Sequence, residues 1–414
     1  MDAELAIRLE RIRQWKAGVV PGPLEIIISP TLRCNLSCAI CWRQRTALDM
    51  RGPELNGSRD EVPDARLLRL VDEAAAMGVK QWVIVGGGDP LMRATLFNTL
   101  SMAIASHGMR GILHTNGVRL DEALSRRLVD SHWEQVVVSL DGPDRETNDA
   151  IRSAGSFRHA TENLARLAAI RKEAQTHLPR VTMHTVITNR NVMKLDAMVA
   201  LADDLGCDEI GFYHLIDEGA SSTALLLTDD QWLSLPEHFG RAGAVADRIG
   251  IAYRFPEMNS GRSTDSPVTC SVPSGATGLS AMRNAACFEP WTSIMITADG
   301  HVGPCCVFWD PEAQRIQDHS LEEIWNGPYF QKIREQVCSD SLMPYCTQCP
   351  DSLKTRSQAL RLIMQWEEAS PLAKGAMLGK RFFVALREKG VKYVFVRSLQ
   401  RLRQRFPFQS ALEP

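Results

Sequence analysis

Short apolar, β-branched runs alternate with amphipathic stretches over the first 255 residues, and this alternation sets the expected architecture. Leu24–Ser29, Gln81–Val85, Gly111–Thr115, Gln135–Leu140, Val181–Ile187 and Glu209–His214 read as buried strands. Each is too short for a packed helix and is bounded by turn-forming residues. Helical stretches fall between them at Asp64–Met77, Ala94–Ser106, Asp121–Asp130, Phe157–Ala174 and Val192–Leu205. In the first, Leu67, Leu68, Val71 and Ala74 share a face, with Asp64 as the expected cap. A helix at Asp229–Ile249 and a strand-like run at Ile251–Phe255 follow. Repeated strand–helix–strand units build parallel sheets with right-handed crossovers. The expected fold class is therefore α/β, a partial (β/α)6 TIM-like barrel over 24–255, preceded by an N-terminal helix in 1–23.

The pattern breaks in three places. Gln44 to Val62 has no apolar periodicity and reads as a mobile loop, and 256–286, rich in Ser, Gly, Pro and Met, as a linker or lid. Residues 287–350 form a small Cys-rich module with a strand at Ile294–Ile296, a hairpin turn at Asp299-Gly300 and a short helix over Leu321–Asn326. A helical tail, 351–414, completes the chain. Between Lys374 and Arg405 it interleaves Lys380, Arg381, Arg387, Lys389 and Arg397 with Phe382, Phe383, Leu386 and Phe395. A terminal helix with a solvated basic face is the expectation, and peripheral contact with an anionic surface the alternative.

Composition narrows the class. With 44% hydrophobic and 23% charged residues, the 414-residue chain has ample material for a large core. A net charge of −2 gives no case for nucleic acid as a partner. Met1–Lys16 lacks the apolar centre of a signal peptide, and no run of about 18 apolar residues occurs. Eleven cysteines, an odd number, fit a disulfide framework poorly, so a cytoplasmic location with thiols assigned to metal is expected.

Cys34, Cys38 and Cys41 follow the first strand at C-x3-C-x2-C spacing. Three thiolates this close can hold three irons of a [4Fe-4S] cube and leave the fourth open, the mark of a catalytic metal. A zinc site completed from afar, or three small buried residues, is the plainer reading of such a triple. Ligands of parallel α/β folds gather beyond the carboxyl ends of the strands. There the chain carries Gly86-Gly87-Gly88-Asp89-Pro90, His114-Thr115-Asn116-Gly117 and Ser139-Leu140-Asp141-Gly142-Pro143. Taken singly, these are turns, and Arg152 a surface charge.

Together and in this order, the cysteine loop and the strand-end motifs resemble the radical S-adenosylmethionine (radical SAM) superfamily, over roughly Glu25 to His214. The resemblance implies that the open iron binds the amino and carboxylate groups of SAM. It places Gly87, Gly88 and Asp89 at the SAM amino group, with Asp89 standing where relatives have Glu. Asn116 and Asp141 belong to neighbouring SAM stations, Ser139 to the ribose and Arg152 to the SAM carboxylate. It further implies a 5′-deoxyadenosyl radical that removes a substrate hydrogen atom, and an electron donor such as flavodoxin or ferredoxin. His184, Asn189, Tyr213 and His214, near the ends of strands five and six, are candidate substrate contacts on position alone.

Cys287 and Cys305, at C-x17-C, and Cys346 and Cys349, at C-x2-C, offer four thiolates, enough for a second [4Fe-4S] cluster or a zinc. Gly300-x4-Cys305, the Glu-Ile-Trp-Asn helix and the closing C-x2-C resemble the SPASM/twitch extension of radical SAM enzymes, and the four-cysteine set resembles deoxy-scyllo-inosamine dehydrogenases. The short form with one auxiliary cluster is the better match, since no cysteine follows Cys349. Cys306 or Cys338 are rivals for a ligand position and candidate hydrogen donors in an epimerisation. From this resemblance the leading expectation is oxidation or epimerisation of a sugar or aminocyclitol carbon. Peptide or protein modification is the second expectation, and a metal-binding scaffold without catalysis the third.

Overall fold

The computed structural model describes residues 3–41, 61–217, 220–256, 258, 285–308, 310–339, 342–349 and 351–370. The loop expected at Gln44–Val62, but for Glu61 and Val62, most of the linker at 256–286, and the basic segment Lys374 to Arg405 lie outside the described residues. Two compact units comprise residues 1–355 and 356–414.

The first unit opens with α1 (Ala3–Lys16), β1 (Glu25–Ile28), α2 (Asp64–Ala76), β2 (Gln81–Ile84), α3 (Ala94–Ser106) and β3 (Arg110–Thr115). It continues through α4 (Glu122–Asp130), β4 (Gln135–Ser139), α5 (Arg145–Ile151), α6 (Ser156–Glu173), β5 (Arg180–Ile187) and α7 (Leu195–Asp204). β6 (Glu209–His214), α8 (Ala220–Thr223), α9 (Asp229–Ile249) and β7 (Ala252–Arg254) complete the repeats. The Cys-rich stretch adds β8 (Ser293–Ile296), β9 (Val302–Gly303), α10 (Leu321–Asn326) and α11 (Pro328–Gln336), and α12 (Asp351–Glu368) runs into the second unit.

Strands β1 to β7 lie side by side in sequence order, each parallel to the next. Right-handed crossovers in one unbroken order place the connecting helices on one face of the sheet. Burial follows the period of two. Trp82, Ile84, Leu113, Val136, Val138, Met183, Ile210 and Phe212 are sealed, whereas Val83, Ile112, His114, Ser139 and His184 on the opposite face are half-buried. The α/β class read from the sequence is the observed one.

Three local features differ from the sequence reading. Asp64 is not the cap of α2: Pro63 holds that position at φ −58°, and Asp64 in the first turn takes the Arg93 guanidinium instead. The stretch after Asp141-Gly142-Pro143 is helical, because Asp144 caps α5 by accepting from the Thr147 N–H at 2.8 Å. The Cys-rich stretch also enters the main sheet. β8 pairs in parallel with β1, Glu25 opposite Ser293 through Ile28 opposite Ile296, and β9 turns back antiparallel to β8.

Helix α1 fastens this junction. The buried Arg8 guanidinium meets Glu25 at 3.0 Å and Glu289 at 3.6 Å, and donates to Thr292 Oγ1 and Ser293 Oγ. Nearby, Arg334 lies over the rings of Trp15 and Trp325 at 4.6 and 4.5 Å, and burial pulls its pKa down to about 9.

Candidate functional site

Beyond Ile28 the chain enters the cysteine loop, which two neighbours hold. On one side the Gly86–Gly88 turn after β2 runs against it: Gly87 N–H donates to Ser29 Oγ (2.6 Å), Gly88 N–H to Thr31 O (2.9 Å) and Asp89 N–H to Arg33 O (2.9 Å). A Cβ on Gly88 would stand 1.9 Å from the Arg33 carbonyl oxygen, so only glycine permits this approach. On the other side Ala39 N–H donates to Ile151 O (2.9 Å) and Ser37 N–H to Ser153 Oγ (2.9 Å), clamping the loop onto the end of α5.

Within that frame the three thiols share one neighbourhood. Burial pushes Cys38 up to about 11, against the pull of Arg152, with Cys41 and Cys34 adding to the rise. The Leu36 N–H points to Cys34 Sγ at 3.4 Å, and Asn116 Nδ2 donates to Asn35 Oδ1 at 2.9 Å and reaches Cys34 Sγ at 3.8 Å. Three thiols on a loop clamped from both sides, with the glycine turn packed directly on its backbone, are a donor set that fits an iron–sulfur cluster with a ligand on its fourth iron. Among the described residues no three His, Cys, Asp or Glu side chains converge on a single ion; a cube instead gives each thiolate its own iron.

The strand-end residues take distinct places. Asp89 is buried and its carboxylate is engaged: Oδ1 accepts from Leu91 N–H (2.9 Å), and Oδ2 from Thr115 Oγ1 (2.9 Å) and Asn116 N–H (2.7 Å). Burial raises its pKa in spite of these donors. Asp141 is fully buried one turn beyond β4, 2.7 Å from Arg152 Nε, and accepts from Val186 N–H at 2.7 Å. Arg152 is thereby wedged between Asp141 and the cysteine loop, electrostatically coupled to Cys38 and Cys41. Gly87 and Gly88 lie against the loop backbone, and Ser139 faces the half-buried interior opposite His184.

Of the four substrate-contact candidates, His184 and Tyr213 stand together, their rings 4.0 Å apart. Asn189 is tied to the segment before α9, donating to Ala224 O at 3.0 Å, and His214 packs on Trp232 at 5.0 Å. The sequence reading assigned no role to His114, although its period-two place on β3 sets it on the same half-buried face as His184. Both imidazoles are held neutral by burial, His114 pulled down to about 4 and His184 to about 3.

The second set assembles around β9. Cys305 is buried with Phe308, Met343 and Tyr345, with Cys346 at the edge of this apolar knot. Gly303 admits the Phe308 ring, whose atoms a Cβ would meet at 2.0 Å. Burial raises Cys287, Cys305 and Cys349, the last to about 12, and each feels others of the set: Cys287 feels Cys349 and Cys346, and Cys305 feels Cys287. The Glu289 N–H points to Cys287 Sγ at 3.4 Å. Four thiols brought into one neighbourhood, Cys305 buried and the other three half-buried, fit a cluster held by protein ligands alone. Cys306, exposed, is coupled to Cys305 and Cys349, and Cys338 is half-buried just past α11.

A sheet with an open, clamped cysteine loop at one strand end and a second thiol set beside the first strand defines an iron–sulfur enzyme of the radical SAM class. The chain belongs to the radical SAM superfamily: that family's model matches residues 28–202, and the SPASM model, an iron–sulfur cluster-binding domain, matches 287–350. It is 33% identical to the mycofactocin maturase MftC of Mycobacterium ulcerans over 331 residues, 78% of this chain and 80% of that one. It is 27% identical to the PqqA peptide cyclase of Xanthomonas campestris pv. campestris, over 83% of this chain and 85% of the relative. Among solved structures, SuiB of Streptococcus suis bound to S-adenosylmethionine shares the fold, with a TM-score of 0.58 and 16% identity over 78% of this chain and 70% of that one. The protein is therefore a radical SAM enzyme whose cofactors are S-adenosylmethionine, the [4Fe-4S] cluster that binds it, and auxiliary iron–sulfur chemistry in the SPASM domain.

Proposed function

We propose that this enzyme modifies a peptide or protein substrate by hydrogen-atom abstraction. The observation that carries the reading is the 33% identity extending over 80% of a maturase, across barrel and SPASM domain alike. The sugar or aminocyclitol substrate expected from the short cysteine pattern has weaker support, because these relatives act as a maturase and a peptide cyclase.

When bound, S-adenosylmethionine and its cluster supply a 5′-deoxyadenosyl radical. The chain's own part is positional. Cys34, Cys38 and Cys41 would hold the cluster, and the Gly87–Gly88 backbone, packed on Leu32 and Arg33, fixes the loop that carries them. Arg152, fixed by Asp141, sets a buried positive charge against the thiol loop. Ser139 and Asn116 line the approach from the strand ends, and Asp89 keeps the β2 and β3 loops in register through its three donors. Cys287, Cys305, Cys346 and Cys349 would hold the auxiliary cluster, which would supply one-electron redox chemistry beside the site. A small reductant protein of the flavodoxin or ferredoxin type would recharge the first cluster.

Anaerobic reconstitution tests the assignment of the two thiol sets. About eight irons per chain are expected, four for each cluster. Replacing Cys34, Cys38 and Cys41 by Ala is expected to abolish dithionite-dependent 5′-deoxyadenosine formation. Replacing Cys346 and Cys349 should leave part of that cleavage while stopping substrate turnover. Deuterium carried into 5′-deoxyadenosine from a labelled peptide supports the peptide reading; transfer from a labelled sugar and from no peptide would sink it.

A further inference from the structure

The inner face of the sheet carries a row of polar groups of which the cofactor assignments use only Ser139. His114, Ser139, His184 and Tyr213 fall in the carboxyl-terminal halves of four consecutive strands, β3 to β6. The register makes them neighbours: His114 lies beside Val137, Ser139 beside His184, and His184 beside Gly211. Tyr213, two residues further along β6, leans back over Gly211, its hydroxyl 3.1 Å and its ring edge 3.0 Å from where a Cβ would be. That missing side chain is what brings the Tyr213 ring to 4.0 Å from the His184 ring.

Among the described residues, none of these four side chains has a hydrogen-bond partner in the protein. Three of these groups are half-buried and Tyr213 is 40% exposed, so the row lines an accessible face on which unpaired polar groups stand open to something that is not protein. Their chemistry is specific. A neutral imidazole offers one N–H and one acceptor nitrogen, and a phenol an O–H and a lone pair. The charges that reach these groups are already paired: Arg152, which acts on His184, with Asp141, and Arg254, which acts on Tyr213, with Glu209. A carboxylate or ammonium would enter this wall without a counter-charge, whereas an amide, with one donor and one acceptor, matches it.

We propose that His114, His184 and Tyr213 form the substrate-recognition wall of this enzyme and that it binds an uncharged stretch of peptide through its backbone amides, with Ser139 marking the border with the cofactor. The inference rests on the peptide reading above and names where and how the peptide is held. The His184–Tyr213 stack provides a flat apolar surface, and the edge groups provide the hydrogen bonds.

The experiment uses the reconstituted holoenzyme with S-adenosylmethionine at pH 6, where unprotonated imidazoles react with diethyl pyrocarbonate. Modification of His114 and His184 is followed by peptide mass spectrometry. Three probes are compared: a randomised pool of N-acetylated tripeptide amides of uncharged residues, the same pool with free termini, and a pool of hexoses. The capped pool is expected to slow modification of both histidines by at least about fivefold, as a site some four-fifths occupied would, and the other two to leave it unchanged. Tyr213→Phe keeps the ring and removes the hydroxyl, and should raise the half-protecting concentration of the capped pool about tenfold, the worth of one well-made hydrogen bond.

Protection by hexoses alone, by the charged pool alone, or by none of the three overturns the wall, even where the wild type forms 5′-deoxyadenosine. Failure of the underlying reading shows separately, as deuterium transfer from sugar and never from peptide.

Discussion

At the scale of single residues, burial sets which groups carry charge. His114 and His184 ordinarily titrate near 6.5 but are held at about 4 and about 3 by desolvation, His184 feeling His114 and Arg152 as well. The unfolded chain therefore takes up these protons as pH falls through about 6.5, while the folded chain does not until pH 3 to 4. Their neutral burial costs nothing above 6.5 and weakens the fold progressively below it, by up to about 1.4 kcal/mol per pH unit for each imidazole. His184→Gln should flatten the decline in thermal midpoint between pH 6 and 4, as measured by calorimetry across that range. A parallel acid limb in variant and wild type would count against the neutral imidazole.

These residues also show what a sequence conveys. The thiols and the glycine run stand out in the sequence only together and in order, since singly they read as a zinc site and a turn. Asp89 is read from the sequence only by analogy, as a partner for an amine; in the fold its oxygens accept from Leu91 and, at a distance no local pattern announces, from Thr115 and Asn116.

At the scale of elements, the cysteine loop is a passive piece shaped by its neighbours. Three N–H groups of the β2 turn donate to the chain here, the Ile151 carbonyl and the Ser153 hydroxyl at the α5 end accept from it, and the glycine turn is the less forgiving side. Gly88→Ala drives a methyl into the Arg33 carbonyl and, behind it, the Leu32 backbone, neither of which is the free end of a side chain. The loop must shift, and misplacement of about 1 Å at a reacting centre costs on the order of 100-fold. Iron in the first cluster and 5′-deoxyadenosine formation should both fall in Gly88→Ala, read by iron analysis and chromatography, while the auxiliary cluster's iron stays. Strands and helices of the barrel were plain in the sequence because each keeps its own period. Helix α5 was not: its seven residues lie behind a Gly-Pro turn, and a cap at Asp144 starts it.

At the scale of the whole molecule, α1 joins the first strand and the Cys-rich stretch through one cation. Arg8→Met leaves the Glu25 and Glu289 carboxylates buried without their counter-charge, at a cost of about 3–5 kcal/mol. The thermal midpoint should drop accordingly, and Arg8→Met with Glu289→Gln should recover part of the loss; no recovery would mean that packing, and not charge, dominates. Composition and spacing separated the Cys-rich module as an appendage. They could not show that its strand enters the barrel sheet, because the partner of Ile294–Ile296 lies at the opposite end of the chain and pairing leaves no mark on either sequence.

That pairing bears on how the chain is made. β1 sits between β2 and β8, so its second edge waits for residues that leave the ribosome only after every other barrel strand. Until then Glu25–Ile28, rich in isoleucine, is an uncovered rim of the kind that recruits foreign strands. The SPASM domain is in this sense an internal chaperone, closing the seam that the barrel leaves open. A chain ending at residue 286 should collect in inclusion bodies, and co-expression of 287–414 as a separate piece should return some of it to the supernatant, measured by fractionation. Synthesis order thus ties the two halves together before any iron does.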